Sequence, residues 1–131
     1  MQYIKDIISG TKDIVSDISY KAYNLVFPPY WVGKRYYKVL NKELKHYDFQ
    51  YKLGLNIDHI PFNPKRSCLP GGLYYTDEDN IIEFLYFGCY LADIKIPYDA
   101  RVYKDQAGNK YKADKIEVIS YCKFKDHPLF N

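Results

Sequence analysis

Between Ser67 and Phe87 the chain reads Ser-Cys-Leu-Pro-Gly-Gly-Leu-Tyr-Tyr-Thr-Asp-Glu-Asp-Asn-Ile-Ile-Glu-Phe-Leu-Tyr-Phe, and this stretch restricts the fold more than any other. Pro70-Gly71-Gly72 is a turn, because proline fixes φ and glycine admits conformations closed to other residues. Leu73 to Thr76 then favours a strand. Thr76 or Asp77 caps a helix running to Phe87, with Thr76-x-x-Asp79 as a capping box. Ile81, Ile82, Phe84 and Leu85 form its buried face, and Gly88 ends it. A strand feeding a capped helix through glycines is an α+β junction. Glycines also let a ligand approach the backbone, so Gly71, Gly72 and Tyr74 are binding candidates. Arg66, with Lys65, could receive an anion beside them, although an exposed loop pair needs no such role.

The flanking segments extend the same reading. From Ile4 to Leu25 the apolar positions Ile4, Ile8, Val15, Ile18, Ala22 and Leu25 recur at helical spacing, with Ser9-Gly10 as a weak point. Pro28-Pro29 stops this amphipathic helix. Residues 1–29 therefore read as a helix and linker, and 30–131 as one α+β domain. Ile4, Ile8, Val15, Ile18 and Leu25 could lie on the domain's own core, pair with a second copy, or enter a partner's groove. Strands are expected at Tyr36 to Leu40, at Phe49 to Ile57 with a bend at Gly54, at Tyr90 to Ile96, and at Ile116 to Tyr121. Tyr90, Ala92, Ile94 and Ile96 share one face. Arg101 to Lys104 and Lys110 to Ala113 form a hairpin around Gly108, and His59 to Leu69, with Pro61 and Pro64, is a loop. The tail His127-Pro128-Leu129-Phe130 shows no periodicity. The architecture expected is a mostly antiparallel twisted sheet packed on one helix, plus the separate N-terminal helix.

Composition excludes several function classes. The 19 basic and 16 acidic residues are interleaved, for a net charge of +3. A nucleic-acid binder clusters its bases and favours the arginine fork; here the arginines are Arg35, Arg66 and Arg101, so no nucleic-acid partner is expected. Cys68, Cys89 and Cys122 are widely spaced, without a metal-ligand pattern, and suit buried free thiols in a reducing compartment. No metal, cofactor or membrane span is expected. Asp77-Glu78-Asp79 could hold a hard cation, but acids in a helix's first turn also serve its dipole. Cys68 has no histidine placed by sequence to activate it. The 16 tyrosines suit half-buried strands and contact surfaces alike.

Several collinear motifs resemble a known family. They are Phe49-Gln-Tyr-Lys-Leu-Gly-Leu-Asn56, Pro61-Phe-Asn-Pro64, Cys68-x-Pro-Gly-Gly-Leu-Tyr-Tyr-Thr-Asp77, Phe84-Leu-x-Phe-Gly-Cys-Tyr90 and Ile96-Pro-Tyr-Asp-Ala100. From about Tyr36 to Val118 the chain resembles the uncharacterised N-terminal domain that precedes ankyrin repeats in proteins of mimivirus-like giant DNA viruses. With no room for repeats after Asn131, it would be a stand-alone version. The resemblance implies a viral protein of the host cytoplasm and supplies no activity.

A fainter similarity links Gly72-Leu-Tyr-Tyr-Thr-Asp77 to the Gly-(Ile/Leu)-Tyr-Phe-x-(Asp/Ser) segment of ADP-ribosyltransferases. There a tyrosine stacks on nicotinamide, a place Tyr74 would fill, with Glu117 as acid by position alone. His46 and His59 lack the glycine that follows that family's histidine. Two functions follow as expectations. The preferred one is a non-enzymatic module binding host or viral protein, self-associating through the N-terminal helix. The other is a small-nucleotide or NAD-using enzyme centred on Tyr74.

Overall fold

A computed structural model describes residues 28–65 and 69–131. The N-terminal positions Ile4, Ile8, Val15, Ile18 and Leu25, and the loop residues Arg66 and Cys68, lie outside the described residues. The run Tyr36-Tyr-Lys-Val-Leu40 makes the first strand, β1 (Tyr36–Leu40), and all five of its residues are buried. An unbroken buried strand must be covered on both faces, and the fold is arranged around that requirement. β1 pairs antiparallel with β6 (Tyr90–Lys95), β6 with β9 (Lys115–Lys123), and β9 with β4 (Gly54–Ile57). A second sheet of β5 (Leu73–Tyr75), β8 (Tyr111–Ala113) and β7 (Val102–Lys104) is joined to β1 by a bridge between Tyr37 and Thr76. A short hairpin, β2 (Lys45–His46) and β3 (Phe49–Gln50), stands between β1 and β4 in sequence.

Alternation along the strands divides the core in two. Ala92, Ile94 and Ile96, with Tyr90 beside them, meet Tyr36, Leu40, Ile116 and Val118 from the first sheet and Leu73, Tyr75, Tyr111 and Ala113 from the second. Tyr36, Tyr75 and Tyr111 pack edge-to-face, their ring centroids 5.2 to 5.4 Å apart, the geometry that aromatic quadrupoles favour. Tyr37, Val39 and Leu91 face the other way, against the helix Ile81–Phe87 and the C-terminal residues Phe124, Leu129 and Phe130. The expected shared face of Tyr90, Ala92, Ile94 and Ile96, the Gly108 hairpin and the β1 limits all agree with this arrangement. The bend before β4 is held by Asn56, whose amide bonds Lys52 through both backbone groups and donates to the Gly54 carbonyl.

The helix departs from expectation in three ways. It is a seven-residue 3₁₀ helix, Ile81–Phe87, so the described residues form mainly β structure, with this helix and two three-residue 3₁₀ turns, Phe124–Asp126 and Pro128–Phe130, beside it. Paired β-branched residues followed by aromatics are poor α-helix formers. The capping box is absent, because Thr76 is held by its bridge to Tyr37 and its hydroxyl donates to the Asn109 carbonyl at 2.6 Å. Asp77 accepts from the Asn80 backbone and amide instead. A three-residue period then aligns Ile81, Phe84 and Phe87 and leaves Ile82, expected inside, exposed. Gly88 does close the helix, but in an extended conformation. Its lack of a side chain matters for another reason: a Cβ there would lie 2.2 Å from the Leu40 carbonyl oxygen. The tail is also ordered. His127 is buried, its Nε2 2.5 Å from Asp93 Oδ1, and its Nδ1 accepts from the Leu129 backbone.

Candidate functional site

Gly71 and Gly72, read from sequence as a ligand cradle, are occupied by the protein itself. A Cβ on Gly71 would fall 2.3 Å from the Pro61 carbonyl oxygen, and one on Gly72 would fall 2.7 Å from Lys112 Cδ. The 58–65 loop is fastened to these glycines, with Asn63 N donating to Gly71 O and Gly72 N to the Asp58 carboxylate. Lys112, 0% exposed, runs over Gly72, with Nζ 5.8 to 6.0 Å from the rings of Phe62, Tyr74 and Tyr103. That distance is the outer range of cation–π attraction. Tyr74 adds a hydroxyl bond to the Leu69 carbonyl at 2.9 Å. Its ring thus belongs to the enclosure around Lys112, while its backbone faces a different environment.

That environment is a cavity of about 280 Å³ at the seam where β5 leaves β1. Its walls come from Lys38 on β1, His46 and Tyr47 at the β2–β3 hairpin, Tyr74 on β5, and Ile81, Phe84 and Phe87 of the helix, with Lys110 from the β7–β8 loop. Lys38 is 3% exposed. Its Nζ donates to the Tyr74 carbonyl and to His46 Nδ1, the latter at 2.8 Å, and lies 4.9 Å from the Tyr51 ring. Burial without a counter-charge disfavours the ammonium and lowers its pKa to about 7. His46 is held neutral by burial and then by Lys38, its pKa pushed down to about 3. With Nδ1 accepting from Lys38, the imidazole proton sits on Nε2, which is buried and has no hydrogen-bond partner.

The hairpin that delivers His46 is built under constraint. The Asn41 side chain accepts from Glu43 N and Lys45 N, setting Leu44 at φ +61°. Tyr47, at the hairpin tip, has φ +52°, a conformation that costs a bulky L-residue about 1–2 kcal/mol. Its ring lies against His46 at 4.6 Å and reaches Phe87 at 6.2 Å, and Tyr86 stacks on Phe87 at 4.3 Å.

The sequence candidates are therefore distributed. Tyr74 lines the cavity; Gly71 and Gly72 support the 58–65 loop and Lys112. Glu117 stands on β9, opposite Leu55 and Lys95, and does not line the cavity. Asp77 is engaged by Asn80 and accepts from the Tyr111 hydroxyl at 2.9 Å. Among the described residues no three His, Cys, Asp or Glu side chains form a group able to hold a metal ion, and no helix is long and apolar enough to cross a membrane. Lys38 escaped the sequence reading, and His46 was weighed there only against the transferase pattern and set aside for want of a following glycine. One signal for Lys38 was available: a single lysine inside an otherwise aromatic and branched strand must bury its amine or distort the strand.

Comparison with known proteins points to giant viruses. A protein of Acanthamoeba polyphaga mimivirus named "Putative ankyrin repeat protein" is 43% identical over 89 residues, 64% of this chain and 44% of its own length. A second of that name from the same virus is 51% identical over 55 residues, 42% of this chain and 18% of its own length. An uncharacterised protein of the virus is 43% identical over 68 residues, 50% of this chain and 49% of its own length. The matches thus span less than half of each of these relatives. No family model and no solved structure matches the chain. Its homologues are mimivirus proteins, among them ones named for ankyrin repeats.

Proposed function

We propose that this chain is a viral protein-interaction module, a version of the domain that precedes ankyrin repeats, working in the cytoplasm of the infected host cell. It receives an extended segment of a host or viral protein across the cavity between the β2–β3 hairpin and the Ile81–Phe87 helix. The observation that carries this reading is the rim of that cavity. Tyr47 and Tyr86 are 75% and 79% exposed and lie against Phe87, beside a concavity walled by Phe84 and Phe87. Large apolar side chains grouped at a cavity mouth are the usual mark of a contact surface. The relatives' names support it further, since repeat solenoids present extended binding surfaces. The thiols of Cys89 and Cys122 are unpaired, the first exposed and the second half-buried where burial was expected, and they suit a reducing compartment.

Selection of random displayed peptides on the whole protein tests the reading. Enrichment of a shared sequence motif, with binding lost in Tyr47→Ala and Tyr86→Ala, is the expected result. Failure to enrich any motif, or motifs indifferent to both changes, would overturn it. Self-association through Ile4, Ile8, Val15, Ile18 and Leu25 is a separate proposal, carried by their helical spacing. Light scattering of the wild type and an Ile8→Glu, Ile18→Glu double variant should show a dimer mass that falls to the monomer. A monomeric wild type removes the proposal.

A further inference from the structure

Lys38 differs from two accessible cations of the same fold in what its charge meets. Lys115 and Arg35, both accessible, have carboxylates at 3.1 and 3.5 Å, from Asp99 and Asp93 respectively. Lys38, almost wholly buried, has none among the described residues; its Nζ meets a carbonyl, an imidazole nitrogen and a ring face. Buried charges ordinarily occur only when paired, since desolvation costs several kcal/mol per ion. The two histidines at the packed faces of β1 show the same contrast. His127 uses both ring nitrogens, on Asp93 and the Leu129 backbone, whereas His46 leaves Nε2 buried without a partner. Both Lys38 and His46 line the cavity, and so does Lys110; among the described residues no aspartate or glutamate does. The lining therefore gathers nitrogen donors beneath aromatic walls and supplies no acid of its own.

We infer that the partner segment presents a carboxylate to this cavity, where the Lys38 ammonium and the His46 Nε2–H receive it against the rings of Tyr47 and Phe87. The inference rests on the interaction reading above and specifies its chemistry. A carboxylate fits better than a phosphate, because among the described residues no arginine fork lines the cavity and phosphate recognition favours one. Beyond the bonds given to Tyr74 and His46, the ammonium has only the weak attraction of the Tyr51 ring, which a carboxylate outcompetes. Burial that holds the amine down toward neutrality also means that an incoming anion strengthens the charged form most.

The carboxylate can come from a chain terminus or from an acidic side chain, and three small probes separate these sources. They are N-acetyl-phenylalanine, N-acetyl-aspartyl-phenylalaninamide and the neutral N-acetyl-phenylalaninamide, titrated into the whole protein labelled with ¹⁵N-histidine. One acid should bind roughly tenfold or more tightly than the neutral amide, the scale of one charge-assisted bond, and should move the His46 Nε2 resonance. The tighter acid identifies the source. Lys38→Met should abolish the preference for the acid while retaining wild-type dispersion of the backbone spectrum. Should that variant not fold, His46→Gln replaces it and should weaken both acids without affecting the amide. Equal binding of acid and amide, or no movement of the His46 signal at millimolar acid, overturns the inference. If peptide selection still yields a motif dependent on Tyr47 and Tyr86, the interaction reading survives that result; if it yields none, both fall.

Discussion

At the scale of single residues, Lys38 should dominate the pH dependence of stability. Its pKa is about 7 in the folded chain and near 10.4 when unfolded. Below about pH 7 both states hold the proton and the desolvation cost is fully present. Between about pH 7 and 10 the unfolded chain keeps a proton that the folded chain has released, so stability rises with pH, by up to about 1.4 kcal/mol per unit. Tyrosine acts in the opposite sense. Burial raises the pKa of Tyr36 to about 12 and lifts Tyr51, Tyr75 and Tyr111 as well. Their contribution is complete below about pH 10 and is lost above it. Urea unfolding across this range should therefore show stability climbing and then collapsing. Lys38→Met should remove the climb and leave the collapse; a wild type with no climb contradicts the account. His46 adds an acid limb, since its lowered pKa makes stability fall as pH drops through the unfolded histidine's value. Gly72 gives a steric counterpart. Its φ of +136° and the 2.7 Å approach to Lys112 predict that Gly72→Ala costs more than about 2 kcal/mol, measurable as a lowered denaturation midpoint.

At the scale of elements, the 3₁₀ geometry of Ile81–Phe87 has a direct test. An α-helical face would make Ile81 and Ile82 comparably costly to replace. The three-residue period predicts instead that Ile81→Ala costs about 2–4 kcal/mol, while Ile82→Lys stays within about 0.5 kcal/mol. Equal losses in thermal unfolding would contradict the structure. Tyr47→Gly should leave stability within about 1 kcal/mol of wild type, because relief of its positive φ offsets lost ring contacts, yet it should weaken partner binding. Strands were legible in the sequence where one period ruled. Tyr90 to Ile96 alternates because one face packs on each core, and the Gly108 loop carries its own turn chemistry. The helix was misread because Thr76, a good cap by type, is needed as a bridge to Tyr37, a contact 39 positions away that local spacing does not encode. The β2–β3 hairpin was hidden for a related reason: Asn41 and Tyr47 impose its turns without the usual glycine. The cavity was illegible because five separate segments compose it. Only Tyr74 was singled out, and for its ring rather than its carbonyl.

At the scale of the whole molecule, two sheets joined through one bridge place the cavity at their seam, where the pairing of β1 and β5 is limited to Tyr37 and Thr76. Thr76→Pro should remove the hydrogen bond that Thr76 N donates to Tyr37 O at 2.9 Å and cost about 3 kcal/mol or more. Hydrogen exchange should then quicken around Tyr37 and Lys38 before it does in β6 or β9; uniform acceleration would show that the seam has no separate stability. The opposite ends of the assembly are the edges of β4 and β7. The withdrawal of Lys38 and Lys112 from solvent has a further consequence, for covalent marking of the protein. Every other described lysine is at least partly exposed and offers its amine to acetyl- or ubiquitin-transferring enzymes. These two do not while the chain is folded, so a mark on either would record that the molecule had opened.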